Sequence, residues 1–264
     1  MAQFYTKINT LFKRYGVNET LEDNRLNNCI KIGEYTDPEV ELLKDLKWKC
    51  TEKVDGINTS IELCPVFEHI YDASGNPTPF LDKDKITGYE MNLHGKTENA
   101  NIPKRIIEKM NEYMDKEKFI EVFTKRYIDE NGNEVVKKPD TKVEVFGECY
   151  GSGICGGGRY IRNGVDFIVF DVRIGDTWLK REACEDIAEK LGMKIVPLIG
   201  YMTIPEATEY VKKGFKSLVA EDKTLDAEGL VCEAPLGMLN RLGRRIITKI
   251  KTCDFRELER KMNN

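Results

Sequence analysis

Histidine is scarce, with two in 264 residues, and none of the eight cysteines forms a C-x-x-C pair. A zinc site built on ordinary ligand spacing is thereby excluded, and the irregular cysteine spacing points to reduced, structural thiols. No apolar run approaches the ~20 residues of a membrane-spanning helix. The opening MAQFYTKINTLFKRYG has neither the apolar core nor the small-residue cleavage site of a signal peptide. A cytoplasmic protein without a membrane partner is therefore expected. There is no excess of positive charge either, since the formal net charge is −4. Coating nucleic acid through bulk charge is excluded, so any such contact has to come from a local basic surface. Internal repeats, low-complexity segments and linker-like stretches are missing as well. One domain covering residues 1–264 is the simplest expectation for a chain that can bury a sizeable core.

What is present alternates irregularly between strand and helix patterns, with strands in the majority. That argues for an α+β fold over a doubly wound sheet. Asp37-Pro38-Glu39 opens a short helix aiming Val40, Leu42, Leu43 and Leu46 at a core. In Thr51–Ile61, TEKVDGINTSI, apolar flanks surround Asp55-Gly56, which reads as the turn of a hairpin with Lys53 at its lip. The second strand, Thr59–Cys64, runs into the turn-rich Ser74-Gly75-Asn76-Pro77. Lys85–Lys96 reads as a strand, and Pro103 starts a helix with Ile106, Met110 and Met114 on one face. Tyr127–Val136 flank Glu130-Asn131-Gly132-Asn133, a hairpin insertion. Lys142–Cys149 alternates as a half-buried strand, while the glycine-rich Gly151–Gly158 lacks a phosphate-loop pattern and reads as a flexible connection. DFIVFDVRI (166–174) is apolar enough for a central strand, with Ile168, Phe170 and Val172 on one face. Lys180–Leu191 forms a helix with Ala183, Ile187 and Leu191 inward and Gly192 as its stop, and Thr203/Glu206 cap a second helix ending at Gly214. Gly229–Glu233 and Arg245–Thr252 finish the sheet.

Five signals follow one another in order: TEKVDGIN with Lys53, FGECYG with Glu148, DFIVFDV with Phe170, AEGLVCEAP with Glu228, and IITKIKTCDF with Lys249 and Lys251. The series resembles the motifs of the covalent nucleotidyltransferases, the superfamily of ATP-dependent RNA and DNA ligases and mRNA capping enzymes. Its wording is most similar to bacteriophage-type RNA ligases, which also share the HGKTENANIP segment with Lys96 and the LLKDLKW phrase. The resemblance covers almost the whole chain. It implies a nucleotidyltransferase domain with antiparallel sheets, helices at their flanks and a nucleotide cleft. It also implies an ATP-dependent RNA ligase, with Mg²⁺ or Mn²⁺, that joins a 5′-phosphate to a 3′-hydroxyl.

By the same resemblance Lys53 is the nucleophile that carries AMP, and Asp55 completes its motif. Glu52, Asn58 and Lys96 belong with the nucleotide contacts, Lys96 at the AMP phosphate. Glu148 takes the ribose hydroxyls, Phe170 stacks on adenine, and Glu228 holds the metal, a role that carboxylate oxygens suit. Lys249 and Lys251 stand two apart on a strand and so leave one face. There they would neutralise phosphate charge and help Lys53 lose the proton that an ordinary lysine, titrating at about 10.4, keeps at neutral pH. Asn58 stands where DNA ligases and capping enzymes usually carry arginine, which favours the RNA-ligase branch.

Only nine residues follow Phe255, so no C-terminal OB-fold and no sixth motif is expected, and a monomer acting on RNA ends is the reading. Arg241, Arg244 and Arg245 form a basic cluster suited either to a phosphate backbone or to solvent. The alternatives are a minimal DNA ligase, a capping-type guanylyltransferase and a non-catalytic nucleotide- or RNA-binding module.

Overall fold

The computed structural model describes residues 5–16, 26–72, 74, 76–97 and 100–263. Gly75 of the expected 74–77 turn, and Glu98 and Asn99 beside Lys96, lie outside them. The fold is α+β, as expected. The chain divides into two compact units, Met1–Tyr5 with Gly56–Cys155 and Asn163–Ile195, and Thr6–Asp55 with Gly156–Arg162 and Val196–Asn264. Each unit is assembled from separate stretches of chain, which is why no linker composition marks the division.

The unit containing Gly56 is built on a sheet in the order β11-β10-β9-β5-β6. Its strands are β5 (Ile57–Tyr71), β6 (Pro77–Gly95), β9 (Val143–Gly151), β10 (Val165–Ile174) and β11 (Thr177–Trp178). The short β12 (Lys194–Ile195) pairs with β10 in parallel. One sheet face is apolar: Ile61, Leu63, Val143, Val145, Phe167, Val169 and Val172 are all essentially inaccessible to solvent. Three helices supply the other half of this core. They are α2 (Lys104–Tyr113) through Ile106 and Met110, α3 (Lys116–Phe123) through Phe119, and α4 (Arg181–Leu191) through Cys184, Ile187, Ala188 and Leu191. α4 ends at Gly192, whose φ of +74° suits a residue without a Cβ. Ala183 is only half-buried, and Cys184 and Ala188 take the inward positions beside Ile187. The insertion forms the hairpin β7 (Lys125–Ile128) and β8 (Glu134–Lys137), as the Asn-Gly signal requires.

The other unit carries a five-stranded sheet in the order β1-β15-β14-β4-β13. These strands are β1 (Asn9–Thr10), β4 (Trp48–Lys53), β13 (Leu198–Met202), β14 (Gly229–Glu233) and β15 (Ile247–Lys251). Trp48, Cys50, Leu230, Cys232 and Ile250 line its buried face against α5 (Ile204–Lys213) and α6 (Thr252–Met262). A small ribbon, β2 (Phe12–Arg14) with β3 (Ile30–Tyr35), joins the same core, as does Val40 of α1 (Pro38–Leu42). α1 has five residues, too few for a long apolar stripe. Leu42 and Leu46 are accordingly exposed, against expectation.

Three further sequence expectations are corrected. Asp55-Gly56 does not close a hairpin, because β4 and β5 pair in different sheets. Instead, a Cβ on Gly56 would lie 2.1 Å from the Cys149 carbonyl oxygen, so glycine is there to let β5 approach β9. Val172 does not share a face with Phe170. The register of β10 against β9 slips between Val169 and Asp171, and Phe170 is the extra residue of this bulge. Val172 therefore joins Phe167 and Val169 in the apolar layer. The stretch after Gly151 is a turn with a 3₁₀ segment at Gly157–Arg159, not a loose connection. Arg105 donates to the Ser152 and Gly153 carbonyls, and Ile154 is buried.

Thr203 and Glu206 cap α5 reciprocally, side chain to backbone in both directions. Thr203→Ala is expected to cost about 1 kcal/mol, seen as a lower urea midpoint at unchanged slope. An unchanged midpoint would show that the cap contributes nothing here.

Candidate active site

Lys53 is the last residue of β4 and Lys251 the last of β15, and Gly229 opens β14 between them, directly opposite both. The backbones come close at this row: a Cβ on Gly229 would fall 1.9 Å from the Ile250 carbonyl oxygen. Glycine at 229 thus lets three strands end together, and the residue before it, Glu228, is delivered to both lysines. Lys53 Nζ lies 2.6 Å from one Glu228 oxygen and Lys251 Nζ 2.9 Å from the other. Lys53 Nζ also donates to the Val54 carbonyl at 3.3 Å.

One carboxylate thus bridges two lysine amines that are mostly withdrawn from water. Burial would lower the pKa of Lys251, but the hydrogen bond and charge of Glu228 outweigh it and hold that amine above its usual range. Lys249 lies one row back, opposite Val231, which in turn faces Thr51, so it shares the sheet face of Lys53 and Lys251. Asp55 follows the strand and accepts from the Gly156 amide at 2.9 Å. Beside it, burial first and the charge of Glu228 second raise the pKa of the Tyr160 phenol.

Glu52 is not brought to this face. It alternates to the opposite side of β4, is 1% exposed, and accepts from the Ser217 hydroxyl and from the Leu218 amide at 2.8 Å. Burial lifts its pKa despite these bonds. Its position is that of an anchor for the 217–220 turn, whose Val219 and Ala220 amides bond the same Ser217 hydroxyl.

In the other unit, Asn58, Glu148 and Ile168 stand in one row across β5, β9 and β10. Lys96 follows β6 in step with Asn58, since Thr59 pairs with Gly95, and it is exposed. Phe170 is half-buried on this same face: its ring lies 5.1 Å from that of Tyr5, whose hydroxyl bonds the Asp171 carboxylate. Four expected residues therefore share the sheet side opposite the apolar core.

That side is lined by polar groups which no pattern in the sequence singled out. Glu62 meets Lys142 at 3.1 Å and His94 at 3.2 Å, and Arg173 meets Glu144 at 2.6 Å. Ser60 lies between His94 and Phe146 in register, with a buried hydroxyl that has no hydrogen-bond partner among the described residues. The signal for these residues was their alternation with the apolar positions of β5 and β9, legible only once pairing is known.

Among the described residues no group of three or more His, Cys, Asp or Glu gathers to hold a metal. Glu228 is the only carboxylate paired with Lys53 among them, so a cation there would rely on phosphate oxygens and water for its remaining ligands. Mg²⁺ and Mn²⁺ accept such sites. No described helix is long and apolar enough to cross a membrane.

A family model described as RNA ligase matches residues 46–251. No curated protein matches the chain by sequence. Among solved structures, Naegleria gruberi RNA ligase with ATP and Mn is similar at 16% identity and a TM-score of 0.51, over 86% of this chain and 54% of that one. The same enzyme with AMP and Mn gives 16% and 0.51, over 85% of this chain and 55% of that one. With PPi it gives 15% and 0.50, over 98% and 64%. The chain thus spans little more than half the length of the first of these structures, and the likeness is one of fold.

Glu228→Gln removes the charge that holds Lys251 up and leaves burial, which pulls it down. The Lys251 pKa, followed by NMR of the side-chain nitrogen, is expected above 10.5 in the wild type and to fall in the variant. Equal titrations would show that Glu228 does not set the charge of this cluster.

Proposed function

The chain belongs to the RNA ligase family, and we propose from that premise that it is an ATP-dependent RNA ligase working through a lysyl-AMP intermediate. The observation that carries this reading is the sharing of Glu228 between Lys53 and Lys251 at the ends of three adjacent strands. An amine able to attack phosphorus has to be neutral. Lys251, held above its usual pKa, keeps its proton at neutral pH. That charge stands beside Lys53, across the carboxylate the two amines share.

In the first step Lys53 Nζ, having lost its proton, forms a bond to the α-phosphorus of ATP. The bond from that phosphorus to the bridging oxygen breaks, and pyrophosphate leaves. Lys249 and Lys251 neutralise charge on the phosphates. Mg²⁺ or Mn²⁺, held by Glu228, would supply further neutralisation of those oxygens. Glu148 takes the ribose hydroxyls, Phe170 the adenine face and Lys96 the AMP phosphate, with Asn58 in the same row. The unpartnered Ser60 hydroxyl on that face supports a polar ligand there. AMP then passes to a 5′-phosphate, and a 3′-hydroxyl displaces it to seal two RNA ends, as in RNA repair. Glu52 keeps a supporting part through Ser217. We further propose a monomer acting in the cytoplasm, in a phage-infected host if phage-encoded.

Incubation with α-labelled ATP and Mg²⁺ or Mn²⁺ tests this. Label is expected to stay on the denatured chain, to vanish in Lys53→Ala, and to be released by pyrophosphate. Parallel assays on 5′-phosphorylated RNA and nicked DNA are expected to favour RNA. Labelling that survives Lys53→Ala would remove the nucleophile from this account, and equal sealing of DNA would favour a minimal DNA ligase.

A further inference from the structure

Beside the shared carboxylate, the unit that carries Lys53 opens into a cavity of about 470 Å³, lined in part by Asp55, Arg159, Tyr160, Glu228, Arg256 and Arg260. Such a volume admits a nucleotide-sized group. Its carboxylates are already satisfied from within. Asp55 accepts from the Gly156 amide. Asp226 holds Lys216 at 2.7 Å and Arg256 at 2.5 Å. Glu228 holds its two lysines, and Glu257 meets Lys261 at 3.3 Å. Arg159, on the 3₁₀ turn, and Arg260, on α6, are exposed, and their guanidinium groups have no ion-pair or hydrogen-bond partner among the described residues. The capacity left over is that of two guanidinium groups, which suit the paired oxygens of a phosphate.

We infer that this cavity is a phosphate-binding site, in which Arg159 and Arg260 hold a phosphate-bearing reactant against the wall shared with Lys53. The inference rests on the enzymatic reading of Lys53 for its role. Two sources carry the same chemistry: the end of an RNA strand that receives AMP, and the pyrophosphate released from ATP. Glu228 and Asp55 belong both to the cavity wall and to the Lys53 cluster, so a phosphate bound here adjoins the reacting amine.

The double variant Arg159→Gln/Arg260→Gln separates the sources. Labelling by ATP and its reversal by pyrophosphate are one reaction in two directions, so they respond together, and neither arginine is paired with the lysine cluster that RNA transfer shares with them. If RNA is the occupant, transfer of AMP to a 5′-phosphorylated strand at subsaturating RNA falls about tenfold or more. The slope of log affinity against log salt also becomes shallower by about 1.4, for two single-strand phosphate contacts. If pyrophosphate is the occupant, labelling at subsaturating ATP and release of label by pyrophosphate slow together, and transfer to RNA does not. Either result supports the site and names its ligand. Unchanged rates in both arms would overturn it.

Cys253 lines the same cavity and is exposed, which gives a readout that needs no turnover. RNA or inorganic pyrophosphate is expected to protect its thiol from alkylation, read by peptide mass, in the wild type and not in the double variant. Were the wild type never labelled at Lys53, the enzymatic reading would fall, yet protection by pyrophosphate would still decide the cavity. Absence of protection by both ligands would overturn it.

Discussion

Two ammonium groups cannot be buried side by side without an anion, and Glu228 is that anion. Its two oxygens divide between Lys53 and Lys251, and much of the surrounding architecture serves to put one carboxylate there. β14 has to run between β4 and β15, the three strands have to end on one row, and the residue at the row has to lack a side chain so that the backbones can close. The Gly229 contact with Ile250 is the steric expression of that demand. Remove any of these and the two amines lose their shared counter-ion in a place short of water, which costs several kcal/mol per uncompensated ion.

The same division of labour governs both sheets. Each presents an apolar face to helices and a polar face carrying the candidate chemistry, and strand alternation does the sorting. Glu52 and Lys53 show how sharp this is. They are adjacent in sequence, yet one is sealed under the 217–220 turn and the other meets Glu228. In the other sheet, Glu62, Glu144, Arg173 and Lys142 knit the polar side together beside the row of Asn58 and Glu148.

Much of this was legible in the chain because local rules were obeyed. The capping box of α5, the glycine stop of α4 and the Asn-Gly hairpin were all read from a few residues, since their causes lie within a few residues. What escaped was non-local. Asp55-Gly56 looked like a hairpin turn because nothing in TEKVDGINTSI says that β4 and β5 have partners in different sheets. The division into two units leaves no compositional mark, because the chain passes between them in mid-motif. Tyr160 and Ser60 carry no motif at all, and only burial and pairing reveal them.

The bulge at Phe170 has a consequence for how this strand tolerates change. Upstream of it odd-numbered side chains enter the apolar layer, and downstream even-numbered ones do, so one residue works as a phase shifter between two half-strands. Swapping the phenylalanine for another side chain alters one surface. Excising it would restore unbroken alternation with both halves kept in place, since Asp171 would follow Val169 directly and Val172 would still pair with Val145 in the apolar layer. The bulge thus sets one residue outside the pairing and uses it to add an aromatic ring to the polar face beside Tyr5, so the ring, not the strand's length, is what that residue contributes.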